Sequence, residues 1–340
     1  MLKYLAPFLV AFLLTTFFIF VINFVARKIN WSERISERHI HKKNIYRVGG
    51  IAMVLAFNLS ILFNPDLVLT LELVGFMLAS VILMVVGIWD DFRELFWKTQ
   101  LFFQMAVAVF IFIVGVRIYY ITNPITGGVI NLDLGNTVVI ALGLVIFWIV
   151  LVTNAINWLD GVDGLSGGIT LISLITTFFL TFRPEVNQPP IAIIAAILIG
   201  TSLGFLIFNF NPAKVLAGTS GSLFMGLSLA ILAIFSGTKI ATAVLVLAIP
   251  IIDFIWVIGE RIKNKKSIFH PDKNHLHHKL LEIGWSQRKI ATAYYIITLV
   301  IAFVALNTRV IGKSVTLIIF ALIMAFVSWW INQKIMKLHS

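Results

Sequence analysis

The chain has 340 residues, of which 60% are hydrophobic and 12% charged, with a formal net charge of +11 and no cysteine. Soluble domains keep roughly a quarter of their residues charged, and the mean hydropathy here is +1.00, so an ordinary water-soluble globule is excluded and a chain dissolved in lipid is expected. The absence of cysteine also excludes disulfides and thiolate metal sites, leaving oxygen and imidazole as metal donors.

A membrane-spanning helix takes about 20 apolar residues. Eleven stretches approach that length: 5–26, 48–63, 68–89, 99–118, 137–156, 167–182, 191–208, 221–236, 240–258, 289–306 and 314–332. The first is longer than a signal h-region, lacks a small-residue cleavage site and is followed by further spans, so it is read as retained. Between spans, 121–136 alternates around Gly127-Gly128 and predicts a small β-hairpin, and 183–190 reads as a turn. The predicted class is an all-α polytopic membrane protein of about 10–11 transmembrane helices in a single domain over 1–340.

If the loops after odd-numbered spans and the C-terminal tail share one side, that side holds 20 of the 26 lysines and arginines. The positive-inside rule then predicts a cytoplasmic C-terminus, an N-terminus outside and an outer hairpin. Attraction to anionic lipid accounts for much of the positive charge. Nucleic-acid binding is excluded because no basic soluble domain with aromatic platforms is visible.

The chemistry-bearing residues lie in the basic loops, near 27–47, 90–98, 154–166, 209–222 and 259–288. Asp90 and Asp91 end the third span in GIWDDFREL. Adjacent carboxylates repel, so holding both ionised implies a cation, either Mg2+ or Arg93 and Lys98. After the fifth span, TNAINWLDGVDGLSGG sets Asn154, Asn157, Asp160 and Asp163 three residues apart, so neighbouring members share a helical face. The interleaved glycines let backbone approach a hydroxylated, phosphorylated or metal-bound ligand. In FNFNPAKVLAGTSGS, Asn209, Asn211, Lys214, Thr219, Ser220 and Ser222 precede an apolar helix, which fits either an anion site or a helix cap. Asp253 sits inside the ninth span, where an acid is functional by default or pairs with a group such as Arg261. Finally, PDKNHLHHKL clusters His275, His277 and His278 beside Lys273 and Lys279. Phosphate recognition suits the lysines better than a soft metal does, and on a helix His277 falls off the face shared by the other two.

In this order and between these spans, WDDFREL, NAINWLDGVDGL, FNFNPAKVLAGTSGS and PDKNHLHHKL, with RHIHKKNIYRVGG before them, resemble the polyprenyl-phosphate N-acetylhexosamine-1-phosphate transferases. The resemblance covers about residues 40–290. Leu276 separates His275 from His277, where the phospho-N-acetylmuramoyl-pentapeptide transferases typically carry three consecutive histidines. The form here looks like the branch that starts other envelope glycans, such as O-antigen and teichoic acid. The resemblance implies transfer of a HexNAc 1-phosphate, GlcNAc first among candidates, from a UDP-sugar to undecaprenyl phosphate, releasing UMP. It implies Mg2+, with Mn2+ as a substitute, a bacterial cytoplasmic membrane with the active site on its inner face, and a homodimer.

Within that reading Asp90, Asp91, Asp160, Asp163 and His277 are the expected catalytic residues. Lys42, Arg47, Lys98, Asn154, Asn157, Asn209, Arg261, Lys273, His275 and His278 are expected to contact substrate. Asp91, Asp160, Asp163 and Thr219 are expected around the metal. Three positions depart from the family pattern: Thr219 stands where an aspartate is common, Tyr46 where a proline is, and Glu94 where a further aspartate is. A silent binding homologue is the reading Thr219 suggests. A transporter or flippase would place its ionisable groups at mid-bilayer in broken helices, and here only Asp253 approaches that depth.

Overall fold

The computed structural model describes residues 2–29, 45–122, 128–132, 135–184, 186–236, 240–265, 267 and 274–339. Thirteen helices and one two-stranded sheet are found among them. In chain order the helices are α1 (Leu2–Lys28), α2 (Gly49–Leu62), α3 (Leu71–Arg93), α4 (Trp97–Ile113), α5 (Thr137–Leu159), α6 (Leu165–Thr181) and α7 (Pro189–Asn209). They continue as α8 (Gly218–Phe235), α9 (Ile240–Val246), α10 (Ala248–Lys263), α11 (Leu276–Glu282), α12 (Gln287–Asn307) and α13 (Val310–His339). The expected all-α polytopic class is therefore what forms. Seven helices are long and apolar enough to cross a membrane, eight if the bent pair α9 and α10 is one span, and α2, α4 and α6 are shorter apolar helices.

Local chemistry sets the helix ends. Thr70 caps α3 by accepting the Leu73 N–H, and Ser286 caps α12 by accepting the Lys289 N–H. Pro189 and Pro190 open α7, where their missing N–H groups cost nothing. Strand β1 (Tyr120–Thr122) pairs antiparallel with β2 (Val129–Asn131), Ile121 opposite Ile130, which is the expected hairpin; residues 123–127 at its tip lie outside the described set.

One expected span differs. The stretch 240–258 is read from sequence as a single helix, whereas α9 and α10 meet at 75°. Pro250 explains the break: it has no N–H to donate to the Val246 carbonyl, and its ring crowds the preceding turn.

Helix α8 forms the buried centre, packed by α3 and α5, while α1 and α13 turn long apolar side chains such as Phe20 and Phe326 outward, as a lipid-facing surface requires. The central helices touch backbone to backbone. A Cβ on Gly87 of α3 would lie 2.3 Å from Ser220 Cα of α8, and one on Gly226 of α8 would lie 2.6 Å from Thr153 Cα of α5. Phe57, Phe76 and Phe224 fill the core beside them, with ring centroids 4.8 and 5.4 Å from Phe57. This packing brings the ends of α3, α5 and α8 together, and the polar residues are at those ends.

Candidate functional site

The two adjacent aspartates at the end of α3 have different surroundings. Both oxygens of Asp90 are engaged: Oδ1 accepts from the Leu95 N–H (2.8 Å) and the Gln100 amide (2.6 Å), and Oδ2 accepts from the Thr219 hydroxyl (2.7 Å). Asp91 Oδ1 accepts from Arg47 Nη1 and from the Thr219 backbone N–H, each at 3.0 Å. Its Oδ2 is buried with no hydrogen-bond partner. The N-terminus of α8, read from sequence as an anion site or a cap, thus receives the Asp91 carboxylate, a favourable end for a negative charge. Gly218, at φ +68°, makes this approach available, because a Cβ there would stand 2.5 Å from Asp91 Oδ2.

The polar row at the end of α5 is not one helical face. The helix stops at Leu159, and Gly161 and the left-handed Gly164 (φ 78°) turn the chain into α6. Asn154 is turned onto α4 and its own helix, donating to Gln104 Oε1 of α4 (2.5 Å) and the Val150 carbonyl of α5 (2.8 Å). Asn157 is half-buried, and its side chain makes no hydrogen bond among the described residues. Asp160 accepts from the Ser166 hydroxyl. Burial pushes its carboxyl up to about 7; the Ser166 bond and Arg47 pull it down, and Asp91 and Asp163 push it up, so these groups share one electrostatic neighbourhood. Asp163 is held by the Asn211 amide (2.8 Å) and the Ala213 N–H (3.0 Å), and its own N–H donates to Gln287 at 2.9 Å. Asn209 is a brace: it accepts from the Gly164 N–H and donates to the Val215 carbonyl, both at 3.0 Å, while fully buried.

The three histidines come together more closely than a helical wheel predicts. His275 precedes α11 as its N-cap, so its ring reaches the others. His277 lies between them, ring centroids 5.6 Å from His275 and 4.3 Å from His278, rather than off their face. It is fully buried with both ring nitrogens unpartnered, and its Nε2 would stand 2.7 Å from a Cβ on Gly161. Burial, then its two histidine neighbours, hold its pKa well below the usual imidazole value. The histidine cluster therefore abuts the turn that carries Asp160 and Asp163.

Asp253 organises this cluster. Its Oδ2 lies 2.9 Å from His275 Nδ1 and its Oδ1 accepts the Leu276 N–H at 2.9 Å, so the partners are His275 and the start of α11 rather than Arg261. Arg261 is buried with its guanidinium 4.7 Å from the Trp158 ring centroid, and Trp158 meets the His275 ring edge-on at 5.2 Å. Lys98 is exposed and lies over the Phe96 and Trp97 rings, making no ion pair among the described residues. Lys42 and Lys273 lie outside the described set. Several partners escaped the sequence reading: Gln100, Gln104, Ser166 and Gln287. Gln100 and Gln104 were detectable as a polar i, i+4 pair on an otherwise apolar helix.

Carboxylates, imidazoles and an arginine gathered at one end of a lipid-dissolved helix bundle define a membrane protein that handles an anionic, polar ligand at the bilayer boundary. The glycosyl transferase family 4 model matches residues 73–237, from α3 to the end of α8, and so includes Asp90, Asp91, Asp160, Asp163 and Thr219. A probable undecaprenyl-phosphate N-acetylglucosaminyl 1-phosphate transferase of Bacillus subtilis is 32% identical over 98% of this chain and 94% of its own length. A decaprenyl-phosphate N-acetylglucosaminephosphotransferase of Mycobacterium leprae is 30% identical over 88% of this chain and 82% of its own. A phospho-N-acetylmuramoyl-pentapeptide-transferase of Halalkalibacterium halodurans is 30% identical over 84% and 90%. The chain belongs to glycosyl transferase family 4, as the four motifs suggested.

Proposed function

We propose that the chain transfers GlcNAc 1-phosphate from UDP-GlcNAc to undecaprenyl phosphate, releasing UMP and starting a lipid-linked envelope glycan at the inner face of a bacterial cytoplasmic membrane. The observation that carries this reading is the buried, unpartnered Asp91 Oδ2 in one electrostatic neighbourhood with Asp160 and Arg47, at the ends of apolar helices, in a chain whose relatives are named for that transfer. A lipid acceptor explains why the site is set at the bilayer boundary, and two anionic reactants explain its basic loops.

The reaction forms a bond between an acceptor phosphate oxygen and the sugar-side phosphorus and breaks the bond from that phosphorus to UMP. The sugar C1–O bond stays intact, so anomeric configuration is kept. A phosphate monoester with second pKa near 6 is mostly dianionic at neutral pH, and its attack needs no strong base. Asp90 is engaged with three donors and acts as scaffold; Asp91 presents the free oxygen. His277 and His278 face the turn of Asp160, with His275 beside them, and the three are suited to the donor diphosphate, with Asn157 available to the sugar or ribose hydroxyls.

A divalent cation fits these residues. Among the described residues no three histidine or acidic side chains form a ready cage. Mg2+ does not require one, since it is commonly bound by one or two carboxylates with substrate phosphates and water completing the shell. Asp91 Oδ2 and the Asp160 carboxyl, one buried without a partner and the other held near neutrality by burial, are the two ligands the site would supply. Bound there, the cation would neutralise charge developing on the diphosphate.

The test is UMP release by purified protein with undecaprenyl phosphate and UDP-GlcNAc, with Mg2+ and with EDTA. Metal-dependent release is expected. Release only from UDP-MurNAc-pentapeptide would move the chain to the peptidoglycan branch, and silence with every UDP-HexNAc would leave a binding homologue.

A further inference from the structure

Lys279 follows His278 directly and is read from sequence as a lysine suited to phosphate. The structure turns it the other way. Lys279 is 6% exposed, and its ammonium lies 3.4 Å from Glu260 Oε2. Glu260 Oε1 accepts from Trp256 Nε1 at 2.9 Å and from the Asn332 amide at 3.4 Å, so one carboxylate joins α10, α11 and α13. The transfer itself calls on neither Glu260 nor Lys279.

Two acids of α10 therefore grip one short helix. Asp253 and Glu260 are seven residues apart, which puts them on one helical face about 10 Å from each other. Asp253 takes the start of α11 through the Leu276 N–H and His275, and Glu260 takes its last turn through Lys279. A helix of 7 residues is too short to hold itself. Leu276 and Leu280 bury one side of it, which sets its depth more firmly than its rotation. Residues two apart on a helix point about 200° from one another, so Lys279 and His277 lie on nearly opposite sides of α11. Glu260 stands behind the helix and the Gly161 turn in front, where His277 Nε2 and His278 Nε2 would be 2.7 and 3.1 Å from a Cβ on Gly161. An exposed ion pair would matter little here. A buried ammonium that loses its carboxylate must instead move toward water or another partner, and it carries its helix with it.

We propose that Glu260 is a positioning residue: through Lys279 it fixes the rotation of α11 and so holds His277 and His278 against the turn of Asp160. Its effect on turnover rests on the transferase reading; the fastening of α11 does not.

The experiment pairs hydrogen exchange of the full-length protein in detergent, read by mass spectrometry without substrate, with UMP-release kinetics. E260Q keeps an acceptor for Trp256 and removes the charge opposite Lys279. Its α11 amides are expected to exchange about tenfold faster than in wild type, the effect of losing one charge-assisted bond. Its kcat/KM for UDP-GlcNAc is expected to fall about tenfold, with KM for undecaprenyl phosphate unchanged. E260Q/K279Q removes the stranded ammonium and lets two amides bond, so it is expected to recover most of both losses. K279M, which cuts the tie from the other side and leaves Glu260 with Trp256 and Asn332, is expected to speed α11 exchange in the same direction should E260Q fold poorly. Wild-type exchange in both E260Q and K279M overturns the proposal. So do losses in E260Q/K279Q as deep as those in E260Q. An effect of E260Q confined to KM for undecaprenyl phosphate would make Glu260 an acceptor contact instead, and a donor KM raised in K279M with α11 exchange unchanged would make Lys279 a phosphate contact. Absence of UMP release by wild type would sink the transferase reading, and α11 exchange would still decide whether Glu260 fastens the helix.

Discussion

Asp253 gives the sharpest test of how the histidine cluster is held. Its two oxygens meet two donors, the Leu276 N–H and His275 Nδ1, both at 2.9 Å and all buried. In Asp253→Asn the volume is kept but one acceptor becomes a donor. The amide oxygen goes to the Leu276 N–H, which is tied to the backbone, and the amide N–H then faces His275 Nδ1. His275 must present a lone pair there and move its proton to Nε2, the nitrogen offered to ligand. Two charge-assisted bonds, worth about 1.5–3 kcal/mol each, become two neutral ones of about 1, so stability should fall by about 2 kcal/mol and the fold survive. Turnover should fall about 10- to 100-fold, the usual effect of removing an orienting partner behind a ligand-contacting histidine. Steady-state UMP release across pH 6–9 is the assay. A changed pH profile with a smaller change in KM than in kcat is expected. Asp253→Leu should instead fail in detergent melting, because it strands a buried N–H. Normal turnover and an unchanged pH profile in the asparagine variant would refute a positioning role.

Asp160→Asn keeps the Ser166 partner but removes a charge from the site, so kcat should fall about 100-fold or more with little change in melting temperature; near-normal UMP release would remove Asp160 from the chemistry. Thr219→Asp exchanges a hydroxyl donated to Asp90 for a third carboxylate, so metal-free protein should lose about 2 kcal/mol and regain more stability with Mg2+ than wild type does, read by melting in EDTA and in Mg2+. Equal Mg2+ responses would show that position 219 does not face the cation. His277 supplies a pH test. Burial keeps it neutral in the native state while the unfolded chain protonates below its usual value of 6.5, so its share of stability is intact above that pH and lost as pH falls. Wild type should therefore destabilise relative to His277→Gln by up to about 1.4 kcal/mol per pH unit in acid; parallel melting curves from pH 7.5 to 5.5 would contradict this.

What was legible in the sequence is what depends on local pattern. Apolar runs predict helices because a span is a matter of length, and adjacent carboxylates advertise themselves as Asp90 and Asp91 do. What was not legible depends on which ends packing brings together. Asp253 and His275 are 22 residues apart, and only the docking of α11 against α10 makes them partners. Asn209 resembles a ligand-binding amide in sequence, yet it is consumed by two backbone groups of adjoining loops. The bend at Leu247 was signalled by Pro250, but a reading that counts apolar residues passes over a missing N–H.

The threonine at 219 divides labour between the paired aspartates. An aspartate there would set a carboxylate against Asp90 Oδ2 and would need a cation to hold both. Threonine instead donates its hydroxyl to Asp90 Oδ2 at 2.7 Å and its backbone N–H to Asp91 Oδ1 at 3.0 Å. With Leu95 and Gln100 on its other oxygen, Asp90 is left without an unengaged oxygen, and one oxygen of Asp91 stays buried and unpartnered. Such a site holds its geometry without metal and would ask less of a cation, for which Asp91 and Asp160 would be the protein ligands. On this argument the substitution lowers metal affinity before it lowers the rate at saturating Mg2+. Thr219→Asp should accordingly shift half-maximal Mg2+ downward while leaving the plateau rate within a few-fold; a plateau that rises instead would place the missing charge in the transition state itself.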